Sequence, residues 1–73
     1  MKPAAHMIAD FRTSRGIKQV HVAQKTVISA GRLSAIERGR MRVSADEFLQ
    51  IVTLGFGMTP QNFFDLEVSE NET

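Results

Sequence analysis

The sequence predicts an all-α fold of five short helices built around one hydrophobic core. Apolar residues recur at helical spacing, glycines and prolines cut the chain into helix-sized pieces, and 73 residues suffice for one compact domain and no more. A first helix is expected from about Pro3 to Arg15, where Ala4, Ile8 and Phe11 fall at i, i+4 and i+7 and form one buried stripe. Gly16 can end it. A shorter second helix is expected from about Lys18 to Lys25 with Val22 and Ala23 inward, followed by the link Thr26, Val27 and Ile28. Ser29 reads as the N-cap of a third helix, Ala30 to about Arg38, whose Leu33 and Ile36 point inward and which Gly39 terminates.

Ser44 and Glu47 make a capping box for a fourth helix that keeps Phe48, Ile51 and Val52 at helical spacing. It should stop near Leu54, since Gly55 and Gly57 flank Phe56. Thr59 as N-cap and Pro60 at the first helical position start a short fifth helix. Its Phe63 and Phe64 are expected to close the core, with a dimer contact or a surface for a further domain as the other use of one ring. The domain is thus expected over residues 1–66, and the polar, acidic residues 67–73 as a frayed tail or linker.

The chain has no cysteine, so neither a disulfide nor a cysteine-bearing zinc site supplements packing and capping, which suits a reducing cytoplasm. No segment approaches the ~20 apolar residues that cross a bilayer, and neither a membrane span nor a signal peptide is expected. The net charge of +1 conceals strong polarisation. Residues 11–45 hold Arg12, Arg15, Lys18, Lys25, Arg32, Arg38, Arg40 and Arg42 against Glu37 alone, a net of +7. Residues 46–73 hold Asp46, Glu47, Asp65, Glu67, Glu70 and Glu72 with no Lys or Arg, a net of −6. A basic block of this density can hold a polyanion through phosphate neutralisation, while the acidic half would be repelled by it; a merely solvated basic surface is the plain alternative. His6 and His21 are too isolated to share a metal ion, and no Asp, His and Ser set has catalytic spacing. No metal, no cofactor and no enzymatic activity are expected.

The segment from Gln19 to Gly39 is the informative one. Two short helices separated by about four residues fit a helix-turn-helix, whose second helix is small enough to enter a DNA major groove roughly 12 Å wide. Val22, Ala23, Ile28, Leu33 and Ile36 would lock the pair at a fixed angle and leave Ala30, Gly31, Arg32 and Ala35 on the outer face of the second helix, toward DNA. Arg32, among small neighbours, could reach a guanine edge bidentately without competition and is the main base-reading candidate, a phosphate contact being its alternative. Gly31 weakens a helix by ~1 kcal/mol relative to Ala, which suggests close approach of backbone to DNA or to another helix. Ser34, Arg38, Arg40 and Arg42, with Lys18 ahead of the second helix, are placed to meet phosphates.

The positions Gln19, Val22, Ala23, Ile28, Ser29, Leu33, Ser34, Ile36, Glu37 and Gly39 resemble the motif of the Cro/repressor-type, or XRE, helix-turn-helix family. The resemblance spans roughly residues 7–64. It implies a lambda-repressor-like five-helix fold, double-stranded DNA as partner and a homodimer on that DNA. It also implies a phosphate contact for Gln19 and an ion pair between Arg12 and Glu37 tying the first helix to the third. The run from Leu33 and Ser34 through Glu37, Arg38 and Gly39 to Val43, Ser44, Phe48, Phe63 and Phe64 is similar in particular to the N-terminal domain of Rgg-type regulators. That likeness implies a C-terminal peptide-binding regulatory domain, absent from this chain, which would then be an excised or standalone domain.

The sequence departs from the family pattern at three places. Lys18 stands where Thr or Ser often precedes the Gln, and Val27 where the turn usually has Gly, so a cap and a positive-φ residue are both missing and the local geometry should differ. Gly55 stands where Leu is usual, with Phe56 next, which predicts a one-residue shift at that corner. The leading expectation is sequence-specific binding of duplex DNA in transcriptional regulation. A protein-interaction module on the same scaffold, antitoxin-like or an adaptor, is the alternative.

Overall fold

The computed structural model describes residues 3–71, with side chains through residue 66, and among these all regular structure is helical. The elements are α1 (Ala4–Ser14), α2 (Gln19–Lys25), α3 (Ala30–Glu37), α4 (Ala45–Gln50) and α5 (Pro60–Asn71), with a π-helical turn, Ile51–Gly55, continuing α4. This is a lambda-repressor-like all-α fold. Helix α5 runs past Leu66, where the sequence predicts its end.

Side-chain caps fix where α3, α4 and α5 begin, and a glycine closure fixes where α3 ends. Ser29 Oγ accepts the Arg32 backbone N–H at 3.1 Å, and Thr59 Oγ1 accepts that of Asn62 at 3.1 Å. Both halves of the Ser44 capping box are made: Ser44 Oγ accepts the Glu47 N–H at 3.1 Å, and Glu47 Oε1 accepts the Ser44 N–H at 3.0 Å. At the end of α3, Gly39 N–H donates to the Ile36 carbonyl at 3.0 Å and Arg40 N–H to the Ala35 carbonyl at 2.9 Å. That paired closure needs a left-handed residue, and Gly39 supplies it at φ +77°. Its consequence is positional, because it folds the chain back so that Arg40 lies beside the last turn of α3.

The core joins all five helices. Ile8, Val22, Ile28, Leu33 and Ile51 form one buried cluster, Met7, Val52 and Phe63 a second, and Ile36 is also fully buried. Met7, absent from the expected α1 stripe, is thus a core residue beside Ile8. Phe63 meets Phe11 and Phe48 edge-on at 5.5 and 5.7 Å between ring centres. Burying such a ring contributes roughly 2–3 kcal/mol. Phe64 is only half-buried, stacked on Phe48, and with Met7 and Leu49 it borders an apolar groove of about 460 Å³.

The corner after α4 takes the form of a π turn. Phe56 N–H donates to the Ile51 carbonyl, five residues back, at 2.8 Å. A π turn accommodates one residue more than an α turn, so the residues beyond it are rotated onward by one position. Phe56 is thereby turned onto Phe11, 4.7 Å between ring centres. Gly55 is buried against α2, and an added Cβ would lie 3.0 Å from Val22 Cγ1, so a larger residue there would press on the fully buried Val22.

Candidate nucleic-acid interface

Helices α2 and α3 are packed together through Val22, Ile28 and Leu33, and the turn between them has no positive-φ residue. Thr26 takes over the role of the missing glycine. Its backbone is extended at φ −130°, and its hydroxyl donates to the Val22 carbonyl at 3.0 Å and accepts the Ile28 N–H at 3.1 Å. Val27, 87% exposed, is anchored only through its backbone, whose N–H donates to Gln50 Oε1 at 3.2 Å. Lys18 makes no side-chain cap for α2.

Helix α3 turns Leu33 and Ile36 inward. At about 100° per residue, the opposite side carries Gly31, Ser34, Ala35 and Arg38, with Ala30 at its edge. Gly31 is exposed, and an added Cβ there would meet nothing within 4 Å. Of the two explanations for this glycine, packing against another helix of the chain is therefore removed. Arg38 is exposed at the end of α3, and Arg40 and Arg42 are exposed in the loop after it. Neither these three nor Lys18 is held in an ion pair among the described residues. The outcome is a smooth helical face of small residues with unpaired cations at its C-terminal end.

Two arginines of the basic block are spoken for. Arg12 and Glu37 form a bidentate pair between α1 and α3, Nε to Oε2 at 2.7 Å and Nη2 to Oε1 at 2.8 Å, with side chains only 14% and 8% exposed. Arg12 Nη1 donates to the Ile17 carbonyl at 2.7 Å, which fastens the α1–α2 link to the same site. Hydrogen bonding to Glu37 raises the Arg12 pKa above its ordinary value. Gln19, for which the family resemblance implies a phosphate contact, donates its Nε2 to Glu37 Oε1 at 3.0 Å. Its amide is thus engaged in the free protein, because the start of α2 lies against the end of α3.

Arg32 corrects a sequence expectation. It lies about 100° around α3 from Gly31, on the flank facing α4 rather than at the centre of the open face. There its guanidinium is paired with Glu47, Nε to Oε2 and Nη2 to Oε1, the latter at 2.9 Å. Nη1 lies 3.5 Å from Met41 Sδ. Arg32 is therefore not free of competition, since the capping box brings the first turn of α4, and Glu47 with it, against α3. Fifteen residues of sequence separate the two partners. No local spacing announces such a pair, and Glu47 is legible in the sequence only as a capping residue. The Arg32 hydrogen bonds, and after them that of the Ser44 backbone N–H, hold the Glu47 carboxyl at about 2, well below its ordinary 4.5.

Among the described residues no group of His, Cys, Asp and Glu is placed to hold a metal ion, and no helix is long and apolar enough to cross a membrane. The chain matches the family model described as Helix-turn-helix over residues 8–54. No curated protein and no solved structure shows significant similarity to it.

Proposed function

From the premise that this chain belongs to the helix-turn-helix family of DNA-binding regulators, we propose that it binds duplex DNA in a sequence-specific manner, with α3 in the major groove. The observation that carries the reading is the open face of α3. Ala30, Gly31, Ser34 and Ala35 are small enough for the helix backbone to approach base edges closely. Arg38 and Arg40 at the end of that face, Arg42 in the loop and Lys18 before α2 lie exposed to take up phosphates. Gln19 can join them only by leaving Glu37. Arg32 reads a base from the flank of the helix, braced by α4. The acidic residues after residue 45, Glu47 excepted, would be repelled by phosphates and contribute nothing to the contact.

A homodimer reading two half-sites about one helical turn apart completes the proposal. The cytoplasm is its place of action. The likeness to Rgg-type regulators adds a peptide-binding domain C-terminal to this one. Selection of bound sequences from a random duplex pool tests the reading, and recovered sites should show two related half-sites. Their affinity should fall with salt as log K against log salt at about −0.9 per phosphate neutralised. A salt-insensitive affinity and no recovered consensus would leave the protein-interaction alternative in its place.

A further inference from the structure

Glu47 is a charged side chain beside α3 that makes no phosphate contact in the DNA-binding reading. It is held from two sides. Its Oε1 accepts the Ser44 N–H at 3.0 Å and Arg32 Nη2 at 2.9 Å, while Oε2 accepts Arg32 Nε. The capping box therefore fixes Glu47, and Glu47 fixes Arg32. Side-chain exposure is 15% for Glu47 and 35% for Arg32, so the carboxylate is covered while part of the guanidinium still meets solvent.

A guanidinium offers two edges that can donate a parallel pair of N–H bonds, Nε with Nη2 and Nη1 with Nη2. The carboxylate occupies the first. The second retains N–H groups, and the Met41 sulfur near Nη1 is too weak an acceptor to rival the O6 and N7 of a guanine. An unbraced arginine samples many rotamers and loses that freedom only when it binds, whatever it binds. Arg32 has lost much of it on folding. Glu47 also sets a negative charge near the phosphates, which weakens binding to any sequence alike.

We propose that Glu47 is a positioning residue that determines specificity: by holding the Nε edge of Arg32 it offers the Nη1–Nη2 edge to one guanine in the major groove. The proposal rests on the DNA-binding reading above. Glu47→Gln tests it, because the amide oxygen can still accept the Ser44 N–H and complete the capping box, while the charge and the two-bond clamp on Arg32 are lost. The probes are the duplex that the native protein selects from a random pool, its single base-pair variants and a random duplex. The base pair at which Arg32→Ala flattens preference defines the position read by Arg32.

At that base pair Glu47→Gln should lower discrimination about tenfold, equivalent to about 1.4 kcal/mol, while affinity for random duplex holds or rises. In an Arg32→Ala background the same substitution should change nothing there. Should Glu47→Gln unfold, Glu47→Asp, which keeps the charge but withdraws it from Arg32, should show the same loss. Unchanged discrimination would overturn the proposal, as would sharper discrimination, which would make Glu47 a mask over Arg32 rather than a brace. The absence of any base pair sensitive to Arg32→Ala would overturn it as well. If the native protein selects no sequence at all, the DNA-binding reading has failed, and the proposal falls with it.

Discussion

Arg12 and Glu37 meet through two parallel N–H···O bonds, and the pair is at once the joint between α1 and α3 and the support of the α1–α2 link. A charge pair covered this well is costly to break from one side, since the remaining partner keeps its charge and loses its compensation. Arg12→Ala should therefore lower unfolding free energy by about 3 kcal/mol, measured by denaturant titration. Arg12→Lys should recover only part of it, because a lysine cannot reproduce the forked geometry. Arg32→Ala, which breaks a more exposed and solvent-screened pair, should cost clearly less. Equal losses for Arg12→Ala and Arg32→Ala would show that burial does not separate the two pairs.

Gly31→Ala separates stability from binding, because the two should move in opposite directions. The site is open, so the added methyl meets no protein atom, and alanine is the better helix former. The free protein should gain up to about 1 kcal/mol, read from thermal unfolding. On the DNA-facing side the same methyl would stand between the α3 backbone and the base edges, and affinity for the selected duplex should fall. Greater stability with undiminished affinity would remove Gly31 from the interface.

Much of this architecture is legible in the sequence, because it rests on local rules. Ser29, Ser44 and Thr59 act as N-caps through side-chain oxygens that reach amides three residues on, and Leu33 and Ile36 repeat at helical spacing whatever lies opposite. Departures from the family pattern at Val27 and Gly55 point to two places where the chain is held by other contacts. The compensations there are tertiary, however: the Thr26 hydroxyl in one case and the close approach to Val22 in the other. The partner of Arg32 is not legible, because Glu47 belongs to another helix and its reach depends on how α3 and α4 cross. The same holds for Gln19, which is turned to Glu37 by the packing of α2 on α3.

The Glu47 carboxyl, held at about 2 against an ordinary 4.5, makes stability depend on acid in a definite direction. A carboxyl with a depressed folded-state pKa contributes its full stabilisation above the unfolded value and loses it as pH falls toward the folded one. The contribution should be constant from neutral pH down to about 4.5 and disappear between there and about 2. Melting temperatures of the native protein and Glu47→Gln, compared across that range, should converge as the pH is lowered. A gap that stays constant into acid would mean that the carboxylate charge contributes nothing to the fold. Because Glu47 is ionised at every pH above this window, the charge that pairs with Arg32 in the free protein is present throughout the neutral range.

Arg40 should serve affinity without serving sequence. Its backbone is fixed to the Ala35 carbonyl by the Gly39 closure, and its side chain is exposed beside the end of α3. A cation so placed neutralises phosphate charge, and each such contact contributes about −0.9 to the slope of log K against log salt. Arg40→Ala should weaken selected and random duplexes by the same factor and reduce that slope by about one contact. Arg32→Ala should instead flatten preference at one base pair and leave the others as they were. Titrations of both variants against both duplexes, at several salt concentrations, distinguish the roles. An Arg40→Ala variant that lost selected sites while keeping random ones would mean that Arg40 reads bases, and the loop after α3 would then lie within the groove rather than along the phosphate strand.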